Sequence, residues 1–377
     1  MKKVVCFVLS VILAFCFCGT VLAQPLNLSA KAAILINAET GEVLFEKSGN
    51  MRLSMASTTK IMTSLILAEQ KNLSKTITVT EQMVRVEGSS MGLTPGDKVS
   101  FEALLYGMLL ASGNDAANTV AYALGGSING FANIMNNKAK QLGMHNTNFV
   151  TPSGLDDDAH YTTAYDMAVL TAEALKNKAF AMACSTKIQK VYLCDGEKQL
   201  TLTNHNKLLG TYEGLIGVKT GFTKKSGRCL VTAAERNGVR LVAVTLCAPN
   251  DWNDHKMLLD YGFEVTKIFE ECAYSLPDSL PVVGGDCDRV RISSSEISYA
   301  VSEENASKFS YKVLLPDFLY SGVKAGQKIG CINYYYDNKL FKSTDIVCLA
   351  DVYHSKAKMP FKKQFTEKFS LLLRLII

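Results

Sequence analysis

Residues 53–63 read Leu53-Ser-Met-Ala-Ser57-Thr-Thr-Lys60-Ile-Met-Thr63, a polar lead-in that breaks into the first strong helical pattern, over 58–70. Ser57 and Lys60 stand three apart, so on a helix they share a face and the lysine amine can reach Ser57 Oγ. A serine hydroxyl needs a base beside it to attack a carbonyl. Lysine supplies that base when partial burial and a neighbouring positive charge lower its pKa. The helix start also leaves the Ser57 N–H without an intrahelical partner, aimed where an oxyanion would form.

Alone, the pair means little. Ser321…Lys324 and Ser355…Lys358 have the same spacing, Ser-x-Asn occurs at Ser48, Ser112 and Ser127, and Lys-Thr/Ser-Gly at Lys47, Lys219 and Lys225. Each motif has a plain structural reading: Ser57 as an N-cap, Ser112 to Asn114 as a turn, Lys219 as a solvated side chain. The information lies in order and context. Only Ser57…Lys60, then Ser112-Gly-Asn114, then Lys219-Thr220-Gly221 places a helix start, an inter-helix turn and a strand end in sequence. Ser112 and Asn114 can point into a cleft, Lys219 and Thr220 can bind a substrate carboxylate, and Gly221 permits close backbone approach.

Around this trio the patterning is mixed. Short apolar runs at 31–37 and 43–46 flank Ala38-Glu-Thr-Gly41, a hairpin signature. Helical spacing recurs at 101–111, 115–124, 130–142 and 164–176; strand-like runs follow at 215–218, 229–234 and 240–246, then a long helix over 251–271. Strands at both ends with helices between them indicate one α/β domain whose sheet is assembled from distant segments. Beyond 271 the composition shifts. The stretch 276–281 and Gly284-Gly285 read as a linker, and strands at 290–292, 298–301, 310–315 and 346–352 indicate a small all-β domain over 278–352.

The ends differ from the body. Lys2 and Lys3, an apolar run over 4–18 and Val21-Leu-Ala23 read as an export signal over 1–23. An uncleaved anchor is the alternative; a lipoprotein signal is disfavoured by Phe15 and Phe17 before Cys16 and Cys18. The catalytic domain is then expected over 24–275. At the far end, Phe361, Phe365, Phe369, Leu372 and Ile376 fall on one helical face, with Lys362, Lys363, Lys368 and Arg374 largely elsewhere. Segment 355–377 therefore reads as a basic amphipathic helix suited to a membrane surface, or else to packing on the protein itself.

In all, the 377 residues are 48% hydrophobic and 20% charged, a globular composition, and only the N-terminal run is apolar enough to be inserted or exported. Net charge is +5, concentrated at the two ends, so no broad nucleic-acid-binding face is indicated. With five histidines and no HExxH, a zinc hydrolase is poorly supported. Walker and dinucleotide motifs do not occur. The eight cysteines past the signal lack metal or redox spacing and read as mainly buried thiols, although Cys184 and Cys194 could bridge a hairpin.

With these motifs in place, the chain resembles the serine D-alanyl-D-alanine carboxypeptidases, low-molecular-mass penicillin-binding proteins of peptidase family S11. The resemblance spans nearly the whole chain and includes Ala33-Ile-Leu-Ile-Asn-Ala-Glu-Thr-Gly-Glu-Val-Leu-Phe-Glu46, residues 53–63, 151–167 and 250–262. It implies a β-lactamase/transpeptidase-like sheet with helices on both faces, and an exported enzyme at the outer face of the cytoplasmic membrane. It further implies removal of the terminal D-alanine from peptidoglycan stem peptides through an acyl-enzyme, acylation by β-lactam antibiotics, and no metal or organic cofactor. By the same resemblance Ser57 is the nucleophile, Lys60 its proton acceptor and Ser112 the relay to the leaving D-alanine. Asn114 holds the substrate backbone, Lys219 and Thr220 recognise its carboxylate, and the N–H groups of Ser57 and Phe222 form the oxyanion hole. Phe222 stands where relatives carry His, which implies altered deacylation or specificity. His160 is expected to be structural. A serine β-lactamase and a catalytically silent wall-binding protein are the rival readings; the first lacks a placed deacylating acid, unless the cluster Asp156 to Asp158 supplies one.

Overall fold

The computed structural model describes residues 26–271 and 276–355; the expected export signal and the basic tail beyond Ser355 lie outside them. The central sheet is built from β1 (Ala32–Asn37), β2 (Val43–Lys47), β3 (Leu215–Thr223), β4 (Gly227–Arg236) and β5 (Val239–Leu246). Its order is β2-β1-β5-β4-β3, all antiparallel, so the first strands of the chain close against the last. Helices α1 (Lys60–Ala68), α2 (Phe101–Leu109), α3 (Asn114–Gly125), α4 (Ile128–Gln141), α5 (Ala164–Ala174) and α6 (Lys178–Ser185) fill the interval between β2 and β3, and α7 (Asp251–Val265) follows β5.

Strand β1 shows why its sequence is unbroken in its apolarity. Ala32, Ile34 and Ile36 enter the core shared with α1 to α6, whereas Ala33 and Leu35 pack against Leu258 and Leu259 of α7. Both faces are covered, so the period-two alternation serves two cores. Helix α1 is buried along its whole length, which explains an apolar run with no polar face. Helix α7 is held by two polar anchors. Asp254 accepts hydrogen bonds from Ser29 N, Ser29 Oγ and Ala30 N, and the fully buried His255 bridges Thr232 Oγ1 (2.7 Å) and Thr245 Oγ1 (2.9 Å).

The helix expected over 251–271 ends at Val265. The next residues include the β-formers Thr266, Ile268 and Phe269 and continue directly as β6 (Thr266–Glu271), which pairs with β9 (Ile297–Ser302). The all-β unit also contains β7 (Ser279–Val283), β8 (Arg289–Ser294), β10 (Phe309–Leu314), β11 (Leu319–Tyr320), β12 (Lys328–Tyr336) and β13 (Lys339–Cys348). They form a second sheet of order β10-β12-β13-β8-β7-β11. Part of the supposed linker is thus strand β7. The all-β unit has its own core around Val301, Ile332, Tyr334 and Ile346. It is tied to the α/β unit by buried Glu42, whose carboxylate accepts from Ser302 N, Ser302 Oγ and Asn305 Nδ2, and by Asn37 Nδ2 to Ala300 O (2.7 Å).

Seven cysteines among the described residues are unbridged; Cys184, Cys229 and Cys348 are buried as expected, but Cys287 is exposed. Among the described residues no helix is long and apolar enough to cross a membrane.

Burial pushes the His255 pKa down to about 3 from 6.5, so the folded protein holds this ring neutral while the unfolded chain protonates it. Its stabilisation is therefore complete above about pH 6.5 and is lost progressively as pH falls toward 3. His255→Leu should lower stability at pH 7 by about 2 kcal/mol, since two threonine hydroxyls lose their partner. It should also flatten the acid slope of Tm between pH 6.5 and about 4; thermal melts of both proteins across that range check this.

Candidate active site

Ser57 lies in a 3-10 turn, Ala56–Thr59, that leads into α1 at Lys60. The sequence pattern places it at the start of a helix over 58–70. A 3-10 turn has about three residues per turn, so it eclipses Ser57 and Lys60 more closely than an α-helix would. Lys60 Nζ stands 3.0 Å from Ser57 Oγ, 2.7 Å from Asn114 Oδ1 and 2.7 Å from the Ser153 carbonyl oxygen. The lysine is fully buried. Burial, then the positive charge of Lys219, hold its pKa well below the ordinary lysine value, against an opposing pull from Asp115.

This environment fixes where the lone pair points. Asn114 Oδ1 and the Ser153 carbonyl can only accept. They take the two N–H bonds of a neutral amine, which leaves its lone pair toward the Ser57 hydroxyl. Protonated, the same nitrogen has three donors for three oxygens. Both protonation states are thus satisfied without rearrangement.

Two features brace the turn. His160 Nδ1 accepts from Val150 N (2.9 Å), so the ring is neutral with its proton on Nε2, which donates to Thr59 Oγ1 (2.8 Å). Thr59 Oγ1 in turn donates to the Ala56 carbonyl (2.8 Å). Burial holds the His160 pKa at about 4, so the expected structural hydrogen-bonder is what stands there. Gly154 packs so closely that a Cβ would lie 1.9 Å from the Ala56 oxygen. Ala56 and Ser112 both adopt left-handed backbone angles, φ 47° and 57°, beside Ser57 and Asn114. Strain of about 1–3 kcal/mol at each such residue persists only where the surroundings impose it.

Asn114 is the first residue of α3. Its Nδ2 donates to Glu87 O (2.7 Å) and its N–H to Ser89 O (2.7 Å), while Asp115 accepts from Ser90 Oγ and the N–H groups of Met91, Gly92 and Leu93. The loop 87–93 is thereby fixed to the start of α3, and Ser112 is left in the turn between α2 and α3, as read from the sequence.

Lys219, Thr220, Gly221 and Phe222 lie within β3, the edge strand of the sheet, rather than at the end of a strand over 215–218. An edge strand directs alternate N–H groups away from its only neighbour, here toward Ser57. A Cβ on Gly221 would sit 3.1 Å from both Ser57 N and Thr58 N, so the strand passes close to the turn only because residue 221 is glycine. Lys219 is buried, donates to the Thr220 carbonyl (2.9 Å), and has its pKa brought down to about 7 by that burial.

A cleft of about 330 Å³ opens onto Ser57, Ser112, Thr220, Gly221 and Phe222, so these predicted residues meet at one place, with Lys60 and Asn114 behind them. Phe222 is 65% exposed at the rim. The sequence reading missed the rest of the lining: Ser89, His205, Lys207, Arg228, Asp251 and Trp252. The Arg228 guanidinium is held by Asp251 (2.9 Å) and lies over the Trp252 ring, 5.5 Å from its centroid. Hairpin register would have found Arg228, which sits opposite Phe222 across a short turn. The cluster Asp156 to Asp158 latches that turn. Asp156 accepts from Thr223 Oγ1 (2.8 Å) and Asp158 pairs with Lys225.

Comparison with known proteins gives the family and the fold. The family profile for D-alanyl-D-alanine carboxypeptidase (peptidase S11) matches residues 19–250, and that for the C-terminal domain of penicillin-binding protein 5 matches residues 263–354. D-alanyl-D-alanine carboxypeptidase DacF of Bacillus subtilis is 32% identical over 337 residues, 86% of each chain. DacC of Escherichia coli is 31% identical over 353 residues, 86% of this chain and 85% of the relative. Penicillin-binding protein 5 of Haemophilus influenzae superposes with a TM-score of 0.63 at 27% identity, over 88% of this chain and all of that one. The DD-transpeptidase of Streptomyces K15 gives 0.61 at 33% identity, over 63% of this chain and 98% of its own. The chain is a member of the D-alanyl-D-alanine carboxypeptidase family, peptidase family S11.

Proposed function

We propose that Ser57, Lys60 and Ser112 carry out serine DD-carboxypeptidase chemistry on peptidoglycan stem peptides. The observation that carries this is the buried Lys60 amine, whose lone pair is left facing Ser57 Oγ by two carbonyl oxygens 2.7 Å away. Ser57 Oγ attacks the carbonyl carbon of the penultimate D-alanine while its proton passes to Lys60 Nζ. The C–N bond then breaks. Ser112 Oγ hands a proton to the leaving nitrogen and recovers one from the Lys60 ammonium, and D-alanine departs. Water then attacks the Ser57 ester with Lys60 again accepting the proton, and Lys60 returns it to Ser57 Oγ as the ester C–O bond breaks.

Asn114 orients both the lysine and the substrate backbone. The N–H groups of Ser57 and Phe222 receive the oxyanion, where a preorganised donor is worth about 10²–10³ in rate. Lys219 and Thr220 bind the terminal carboxylate, and Arg228, clamped by Asp251, adds a fixed positive charge to the cleft. A β-lactam presents an amide carbonyl and a carboxylate in the same relation and acylates Ser57. A deacylating acid of the β-lactamase kind finds no support in Asp156 and Asp158, which are engaged by Thr223 and Lys225. The all-β unit acts as a stand over 278–352, and the tail over 355–377 rests on the outer surface of the cytoplasmic membrane.

Incubation with penicillin should leave an adduct on Ser57, read by peptide mass spectrometry and absent in Ser57→Ala, with D-alanine released from diacetyl-Lys-D-Ala-D-Ala. Rapid penicillin turnover without D-alanine release would make the chain a β-lactamase, and no adduct would leave only a wall-binding role.

Gly221→Ala should slow acylation about 100-fold with Tm nearly unchanged, because its methyl group pushes β3 off the Ser57 N–H. Stopped-flow acylation by a fluorescent penicillin measures it.

The pH profile carries a further sign. Lys60 must be neutral and Lys219 charged, so kcat/KM should fall on the basic side with a midpoint near the Lys219 pKa of about 7. In kcat that limb moves upward, since a bound carboxylate stabilises the Lys219 ammonium. Lys219→Arg, which stays charged, should abolish the basic limb near pH 7 while leaving an acid limb set by Lys60.

A further inference from the structure

Val283, Phe318, Tyr320 and Tyr353 leave large apolar side chains in solvent, with exposures from 44% at Phe318 to 70% at Tyr320. They lie along one edge of the all-β unit. Val283 and Tyr320 are partners across the parallel pair β7–β11, and the Phe318 and Tyr320 rings meet edge to face at 5.4 Å. Reciprocal hydrogen bonds, Asp286 N to Tyr353 O (2.9 Å) and Tyr353 N to Asp286 Oδ1 (3.0 Å), fix Tyr353 to the loop after β7. Alternation sends Val282 and Leu319 into the core, so it is Val283 and Tyr320 that turn outward. An apolar patch of this kind on a soluble face marks an interaction surface.

The same edge is where the chain leaves the unit. Ser355 N donates to Gly284 O (3.0 Å), and His354 pairs with Gly285 while its Nδ1 meets Ser321 Oγ at 2.8 Å. The 22 residues that follow carry six basic side chains against one acid, interleaved with Phe361, Phe365, Phe369 and Leu372. Of the acids beside the patch, Asp351 accepts from Ala325 N and Tyr353 OH, Asp286 accepts from Tyr353 N, and Asp317 precedes Phe318 in the chain. Two tyrosines and a phenylalanine presented beside a basic, phenylalanine-rich segment match a bilayer interface, where rings sit half in hydrocarbon and hydroxyls stay wet.

We propose that this edge of the all-β unit is itself a lipid-contacting surface, seated on an anionic bilayer beside the tail. The inference rests on the tail reading given above. A single short amphipathic segment binds reversibly, and a second contact on the rigid body next to it multiplies the partition. It also sets the angle at which the body stands, which a tail alone does not.

The test uses the full chain and vesicles of phosphatidylglycerol and phosphatidylethanolamine, with and without lipids brominated in the acyl chains. Trp252, the single tryptophan of the sequence, lines the cleft and supplies the baseline in the unsubstituted protein. The Tyr320→Trp variant should bind vesicles, and the emission it adds to that baseline should shift to the blue and be quenched by the brominated lipid. The variant Phe318→Ser, Tyr320→Ser, Tyr353→Ser should partition about tenfold more weakly while releasing D-alanine from soluble peptide normally. Vesicle binding in which the added indole of the Tyr320→Trp variant stays unquenched and solvent-like would overturn the proposal and leave the tail as sole anchor. No vesicle binding at all would remove the tail reading and the proposal together. Conversion of a dimer to a monomer by the triple substitution, again without quenching, would assign the patch to a second copy of the chain.

Discussion

A lysine amine with no exposed surface, held between an asparagine carbonyl and a main-chain carbonyl, is the constraint around which this molecule is arranged. Removing a cation from water is costly, and the chain answers by lowering the proton affinity of Lys60 rather than by supplying a carboxylate partner. The oxygens that make this tolerable come from far along the chain: Asn114 from the start of one helix, Ser153 from the loop before another. The helical layer has to close around Lys60 before the site exists. That is why α1 is buried on every side, and why loops 87–93 and 151–161 are tied down by so many hydrogen bonds.

The sheet supplies the other half. Because β3 is an edge strand, its free side is available to the cleft, and the near contact at Gly221 sets the distance between strand and turn. Positive charge on this side has two effects in the proposed chemistry. Lys219 draws an anionic substrate end and lowers the pKa of Lys60, so recognition and base strength come from the same charge.

Much of this was legible. The order Ser57…Lys60, Ser112…Asn114, Lys219-Thr-Gly221 located the site because each motif sits where the backbone leaves groups unpaired: a helix start, an inter-helix turn, a sheet edge. Two things were not. The wall formed by Arg228, Asp251 and Trp252 comes from a strand and a helix separated by β5, and neither residue type is unusual in its local pattern. The 3-10 turn at Ser57 leaves no mark distinguishable from the first turn of an α-helix. In the all-β unit, Thr266 to Glu271 was read as the tail of a helical pattern, although Thr266, Ile268 and Phe269 favour a strand, and it pairs with 297–302. Strand β12 was hidden because Tyr335 stands between the inward Tyr334 and Tyr336, so alternation is weak there.

Helix α7 passes into β6 without an intervening loop, and Glu42 fastens the same seam from the other side. A joint of that kind has little freedom to swivel. In the proposed function, whatever the all-β unit stands on therefore dictates the altitude of the cleft. Selectivity in such an enzyme becomes partly a matter of geography: of two chemically identical stem peptides, the one at the right depth in the wall is trimmed and the other is passed over.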